Sequence, residues 1–123
     1  MENLAIEATK YTPRIDFDAT THTLEITGES YPENTAEYYA PVFAWLDTYL
    51  ANVPEQEVTV NMEIVYFNSS SSKVLMDFFD LLEKQADQGR KVTVNWIFDE
   101  DNESAEEYGE EFQEDVEELT FNL

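Results

Sequence analysis

Short apolar and polar runs alternate along the first quarter of the chain. Leu4, Ile6 and Ala8 alternate with Ala5 and Glu7, the period of a strand with one buried face. Tyr11-Thr12-Pro13 interrupts the pattern, because proline donates no ladder hydrogen bond. Ile15 and Phe17 then alternate with Asp16 and Asp18, and Leu24-Glu25-Ile26 alternates again after Ala19-Thr20-Thr21-His22, which predicts a hairpin. Gly28 to Asn34 reads as a turn cluster, in which Asn34 and Glu37 have the spacing of a helix N-cap and its capping-box acid. A helical period follows through Tyr39, Phe43, Leu46 and Leu50. Pro41 lies inside it and would remove one backbone bond and crowd the carbonyl of Glu37, so a kink or a restart is expected there. Val53-Pro54 is expected to end the helix.

Val58 to Val65 is β-branched and nearly continuous in its apolarity, as expected of a central strand covered on both faces. It runs through Tyr66-Phe67-Asn68 into four serines, Ser69 to Ser72. Val74, Leu75, Phe78, Phe79, Leu81 and Leu82 then make a helix that ends at Gly89, a natural C-cap. Val92, Val94, Trp96 and Phe98 face one way in the next strand, opposite Thr93, Asn95 and Ile97. Ser104 and Glu107 have capping-box spacing, and Tyr108, Phe112, Val116 and Leu119 form one apolar helical stripe. Thr120 to Leu123 is too short to assign. The predicted order is β-ββ-α-β-α-β-α, without repeats or linkers. It implies a single α/β domain over residues 1–123, a two-layer sandwich of a mixed sheet and about three helices.

Composition changes this picture mainly through charge. Against 6 basic residues stand 28 acidic ones, a formal net charge of -22. Such a surface repels phosphate backbones and anionic lipid, so no nucleic-acid or membrane binding is expected. A basic partner, nucleic-acid mimicry or adaptation to high salt would each account for it. At 42% apolar and 14% aromatic the chain has enough mass for one core, unlike a disordered acidic chain. It has no cysteine, and its N-terminus and apolar windows fit neither a secretion signal nor a membrane span. A cytoplasmic protein is expected.

Little in the chain predicts catalysis. Asp99 to Glu118 contains twelve Asp or Glu, but the sixth residue of an EF-hand counted from Asp99 is Ser104 rather than glycine. A solvated helix face is expected there, with no metal. His22 is the single histidine and falls in a predicted turn, where an exposed polar role is expected. No Ser-His-Asp set and no Gly-rich phosphate loop are evident, so no cofactor is expected. Tyr38, Tyr39, Trp45 and Tyr49 crowd the first helix and do not fit on one of its faces, which leaves packing or a partner surface open. The serine turn is likewise open to two readings: Ser69 or Ser70 is an ordinary N-cap, or the cap carries a phosphate favoured by the helix dipole and assisted by Lys73.

Three stretches, Thr12-Pro13-Arg14-Ile15-Asp16-Phe17-Asp18, Gly28-Glu29-Ser30-Tyr31-Pro32-Glu33-Asn34 and Tyr66-Phe67-Asn68-Ser69-Ser70-Ser71-Ser72-Lys73, resemble landmarks of the SiaC family of bacterial regulatory phosphoproteins. The likeness runs from about Leu4 to Phe98. It implies a fold related to the STAS domains of anti-sigma-factor antagonists and a non-enzymatic, partner-switching protein, monomeric when free. By this resemblance a Ser/Thr protein kinase phosphorylates the hydroxyl after the central strand and a PPM-type phosphatase removes the phosphate. The unmodified form activates a diguanylate cyclase, and cyclic di-GMP then favours aggregation or biofilm. The matching acceptor is Ser69. Four consecutive serines, with no glycine after the first pair, make Ser70 the alternative, and Asn68, Ser70, Ser71 and Lys73 are the expected partner-binding residues around the switch. An acidic inhibitor or nucleic-acid mimic that binds a basic partner independently of phosphorylation is the competing expectation.

Overall fold

The computed structural model describes residues 2–52 and 57–123. Its strands are β1 (Leu4–Ile6), β2 (Arg14–Asp18), β3 (Thr23–Ser30), β4 (Val58–Phe67), β5 (Val92–Trp96) and β6 (Thr120–Asn122). Its helices are α1 (Thr35–Asn52), α2 (Ser69–Asp87) and α3 (Glu103–Asp115). The six strands lie side by side in chain order, antiparallel from β1 to β3 and parallel from β3 to β6. This is the mixed α/β sheet with three helices that the pattern predicts. One strand is added, β6, whose three residues carry too little pattern of their own and are fixed by pairing with β5.

Each parallel connection moves one position in the same direction, so right-handed crossovers place all three helices on one face of the sheet. That face holds the core. Ile15, Ile26, Met62 and Trp96 form one row across it, and Phe17, Leu24, Val60, Val94 and Phe121 form the next. The other face is open. On β4, Val58, Val60, Met62 and Ile64 are buried while Thr59 and Asn61 are half-buried and Glu63 and Val65 exposed, which corrects the expectation of a strand covered on both faces. An asparagine ladder crosses this polar face, with Asn122 donating to Asn95 at 3.0 Å and Asn95 to Asn61 at 2.9 Å.

Other expectations are corrected in detail. Helix α1 runs unbroken through Pro41, and both Pro41 and Glu37, one turn before it, are on the exposed side of the helix, where a lost backbone bond costs least. The expected helix end at Val53-Pro54 lies outside the described residues. Gly28 is not in a turn but in β3, where a bulge and a φ of +128° let the strand continue to Ser30 beside Pro13. The aromatics of α1 all pack inward, since the β1–β2 hairpin extends the sheet beneath the helix flank. There Tyr38 Oη donates to the Pro13 carbonyl at 2.9 Å and Trp45 Nε1 to that of Glu2 at 2.8 Å, and Trp45 stacks on Tyr49. His22 is half-buried rather than exposed, its Nδ1 2.6 Å from the Tyr49 hydroxyl.

At the far end of the chain, α3 starts at Glu103 and its cap is Asn102, whose Oδ1 accepts from Ala105 N at 3.2 Å; Ser104 is inside the helix. The helix ends at Asp115, so Val116 and Leu119 lie beyond it. Glu83 of α2 holds the connection to β6 by accepting backbone N–H bonds from Glu117, Glu118 and Leu119. Among the described residues no helix is long and apolar enough to cross a membrane, and no three metal-binding side chains converge.

Candidate functional site

Strand β4 delivers the serine run to the edge of the core layer. Its last residue, Phe67, is buried against Trp96, Tyr108 and Phe112, so the chain must turn there to keep the next residues at the surface. Asn68 makes the turn with extended backbone, and its Oδ1 accepts from Ser71 N at 2.9 Å. Asn68 is therefore the N-cap of α2, in place of the expected Ser69 or Ser70. Its carbonyl accepts the first helical bond, from Ser72 N, and its own N–H donates to the Ser30 carbonyl at 3.1 Å.

With the cap supplied by asparagine, Ser69 and Ser70 become the first two helical residues, and both are exposed. Their hydroxyls are not needed to start the helix. Lys73 lies one turn after Ser69, the spacing that puts two side chains on the same helix face. It is exposed and 3.9 Å from Asp77, a contact too solvated to hold it in place.

Ser71 has the opposite fate and corrects the expectation that it faces a partner. It is fully buried, its Oγ 2.8 Å from Ser30 Oγ, which in turn is 2.5 Å from the Tyr39 hydroxyl. Three hydroxyls from β3, α1 and α2 thus satisfy one another beneath the turn. Burial pushes the Tyr39 phenol up to about 12, against the lowering effect of its bond to Ser30. This cluster anchors the first turn of α2 from below.

The helix starts differ in charge. Glu37 sits in the first turn of α1, and Glu103 and Glu106 sit in that of α3, while α2 has no acid in its first turn. In a chain with 28 acidic residues, the positive end of this helix dipole carries only serines.

Beside the turn runs a surface that hydrophobic patterning did not reveal. Tyr11, Tyr31 and Tyr66 meet edge to face, with ring centroids 5.3 and 5.5 Å apart. Tyr11 and Tyr66 are more than half exposed. Desolvation, followed by the hydrogen bond and charge of Glu29, raises the Tyr31 phenol. The one signal available in the sequence was that Val65-Tyr66 prolongs the apolar run of β4 after the alternation of buried positions has ended at Ile64.

Among the described residues no histidine lies beside the turn. The one histidine, His22, belongs to the hairpin between β2 and β3, and it accompanies Thr59 at the start of β4, whereas the serines follow the end of that strand.

Comparisons with known proteins agree with this architecture. A model described as SiaC family regulatory phosphoprotein matches residues 6–123. An uncharacterised protein of Pseudomonas aeruginosa strain UCBPP-PA14 is 38% identical over 115 residues, 94% of this chain and 90% of the relative. The crystal structure of apo-SiaC from Pseudomonas aeruginosa superposes with a TM-score of 0.91 at 35% identity, covering 100% of both chains. A crystal structure of the diguanylate cyclase SiaD in complex with its activator SiaC, from the same species, matches with a TM-score of 0.89 at 36% identity, covering 95% of this chain and 96% of that one. The chain belongs to the SiaC family of regulatory phosphoproteins.

Proposed function

We propose that this protein is a cytoplasmic, non-enzymatic partner switch whose acceptor is Ser69, with Ser70 as the alternative. Unphosphorylated, it binds and activates a diguanylate cyclase and so raises cyclic di-GMP. A Ser/Thr protein kinase adds phosphate to Ser69 and blocks that contact; a PPM-type phosphatase restores it.

The observation that carries the reading is the start of α2. Asn68 supplies the cap, Ser71 is locked beneath the surface, and Ser69 is left exposed at a helix start free of acids. A phosphate brings about -1.5 to -2 charge and is favoured there by the helix dipole, with Lys73 one turn away. The complex of SiaD with SiaC supports a cyclase as the output.

Incubation with a cognate Ser/Thr protein kinase and ATP, followed by intact mass and peptide mapping, tests the assignment. One phosphate is expected on the parent and none on Ser69→Ala, with Ser70→Ala modified like the parent. Equal incorporation by Ser69→Ala would move the site elsewhere.

A further inference from the structure

Strand β4 changes phase before it reaches the serines. Gly28 of β3 pairs with Ile64 but Glu29 pairs with Tyr66, so Val65 is an extra residue on β4. Up to Ile64 the even-numbered positions are buried; past Val65 the buried position is Phe67. The bulge therefore fixes which way the chain faces as it enters Asn68.

Ser30, which pairs with Phe67, holds the turn on both sides of the exposed pair Ser69-Ser70. Its carbonyl accepts from Asn68 N at 3.1 Å, before the pair, and its Oγ lies 2.8 Å from Ser71 Oγ, after it. Ser71 is held a second time, by its own N–H donating to Asn68 Oδ1 at 2.9 Å. Ser30 and Ser71 are both fully buried, and the Tyr39 hydroxyl, 2.5 Å from Ser30 Oγ, completes the set.

Pinning Ser71 inward sets the rotation of the first turn of α2. Each helical residue advances about 100° around the axis, so Ser69 and Lys73, two positions before and after, both lie about 160° from Ser71, while Ser70 lies about 100° away on the flank. Ser69 is thus the outward hydroxyl, beside Lys73. Phosphoryl transfer is sensitive to this placement. Ser69 Oγ must approach the γ-phosphorus of ATP in line with the bond to the departing ADP; the new O–P bond forms as that bond breaks, and a base of the kinase takes the hydroxyl proton. A misplacement of about 1 Å costs about a hundredfold in rate.

We propose that Ser30, Ser71 and Tyr39 are positioning residues for this transfer: they hold the first turn of α2 in the rotation that presents Ser69, and so decide which of the two neighbouring serines receives the phosphate. The inference rests on the switch reading above and adds how its acceptor is chosen. With the clamp loosened, a rotation of about 100° brings Ser70 to the place of Ser69.

Steady-state phosphorylation of the full-length chain by the cognate Ser/Thr protein kinase and ATP, with each phosphate located by peptide mapping, tests the clamp. In the parent the phosphate should be almost entirely on Ser69. Ser71→Ala should lower kcat about tenfold with KM for the chain within about twofold, and raise the share on Ser70 to at least about a third. Tyr39→Phe, which leaves the Ser30–Ser71 bond in place, should shift kcat and site in the same direction by about threefold or less. Ser30→Ala with Ser71→Ala should move the site no further than Ser71→Ala alone, since both changes remove the same bond. Ile15→Val, a core change of similar cost in stability, should keep the parental kinetics and the parental site, which separates positioning from loss of stability. Thermal melts should show every variant folded at the assay temperature. If Ser71→Ala and Tyr39→Phe keep the rate and the preference for Ser69, or if Ile15→Val loses them equally, the clamp is wrong and the switch stands. If the parent takes phosphate on neither Ser69 nor Ser70, both readings fall.

Discussion

Helices α2 and α3 begin in nearly the same way and end up equipped for different tasks. Each follows a parallel strand, each is capped by an asparagine, and each cap accepts from the backbone N–H three residues on. Past the cap they diverge. Glu103 and Glu106 already complement the dipole of α3, and its first turn rests on Trp96, whose Nε1 donates to the Ala105 carbonyl at 2.8 Å. The first turn of α2 has serines instead, resting on the buried hydroxyls of Ser30 and Tyr39. One helix start is electrostatically complete; the other is mechanically fixed but electrostatically unfinished. An added anion therefore has an effect at α2 that it lacks at α3.

The largest expected effect concerns what lies under α2. Tyr39 ionises near 10 in the unfolded chain and near 12 in the fold, so the neutral phenol is favoured by folding. Its contribution is fully present below pH 10 and is lost as pH rises from 10 through 12. Two pH units correspond to about 2–3 kcal/mol. Denaturant unfolding across that window should show the loss, and Tyr39→Phe should make the decline shallower; an unchanged slope would mean the hydroxyl is not held as described.

Removing Ser71 Oγ comes next. Ser71→Ala should cost about 1–2 kcal/mol in chemical denaturation, because Ser30 keeps its bond to Tyr39 and only one partner disappears. Ser69→Ala and Ser70→Ala, at exposed positions, should stay within about 0.5 kcal/mol of the parent. A large cost at Ser69 would undo the distinction between a structural and a free hydroxyl.

The two caps should be comparable. Asn68→Ala and Asn102→Ala are each expected to lower stability by about 1 kcal/mol. Asn102→Ala should be somewhat the worse, since its Nδ2 also bonds the Val65 carbonyl. The smallest effect sharpens the contrast most. Ser70→Glu should raise stability by about 0.3–1 kcal/mol at low salt, whereas Ser104→Glu, added to a turn with two acids, should raise it less or lower it. Equal gains in the two melts would erase the difference between the helix starts.

The sequence made the sheet legible wherever a strand had a core face and a polar face. Ile15, Phe17, Leu24 and Ile26 alternate because one side of β2 and β3 meets helices and the other meets water. The same rule misled for β4, where Thr59 and Asn61 passed as part of a fully covered strand although alternation was present beneath an apolar average. Strand β6 was invisible because Phe121 alone carries its buried face. The helix starts were found to within two residues, but serine and asparagine share the same capping chemistry. Only the backbone shows that Asn68 and Asn102 do the capping. Burial of Ser71 depends on Ser30 and Tyr39, 41 and 32 positions away in the chain, and no local pattern encodes such a meeting. The serine turn itself was legible, though its choice among four hydroxyls came from family resemblance rather than from spacing.

Because the six strands stand in the sheet in the order they occur in the chain, every strand after the first emerges from the ribosome with a neighbour already made. Nothing has to be held open for a later insertion, which is the step that slows sheets with distant pairings and exposes them to aggregation. Ser30, Tyr39, Asn68 and Ser71 all precede residue 72, so the cradle of the serine turn draws no residue from the acidic C-terminal third.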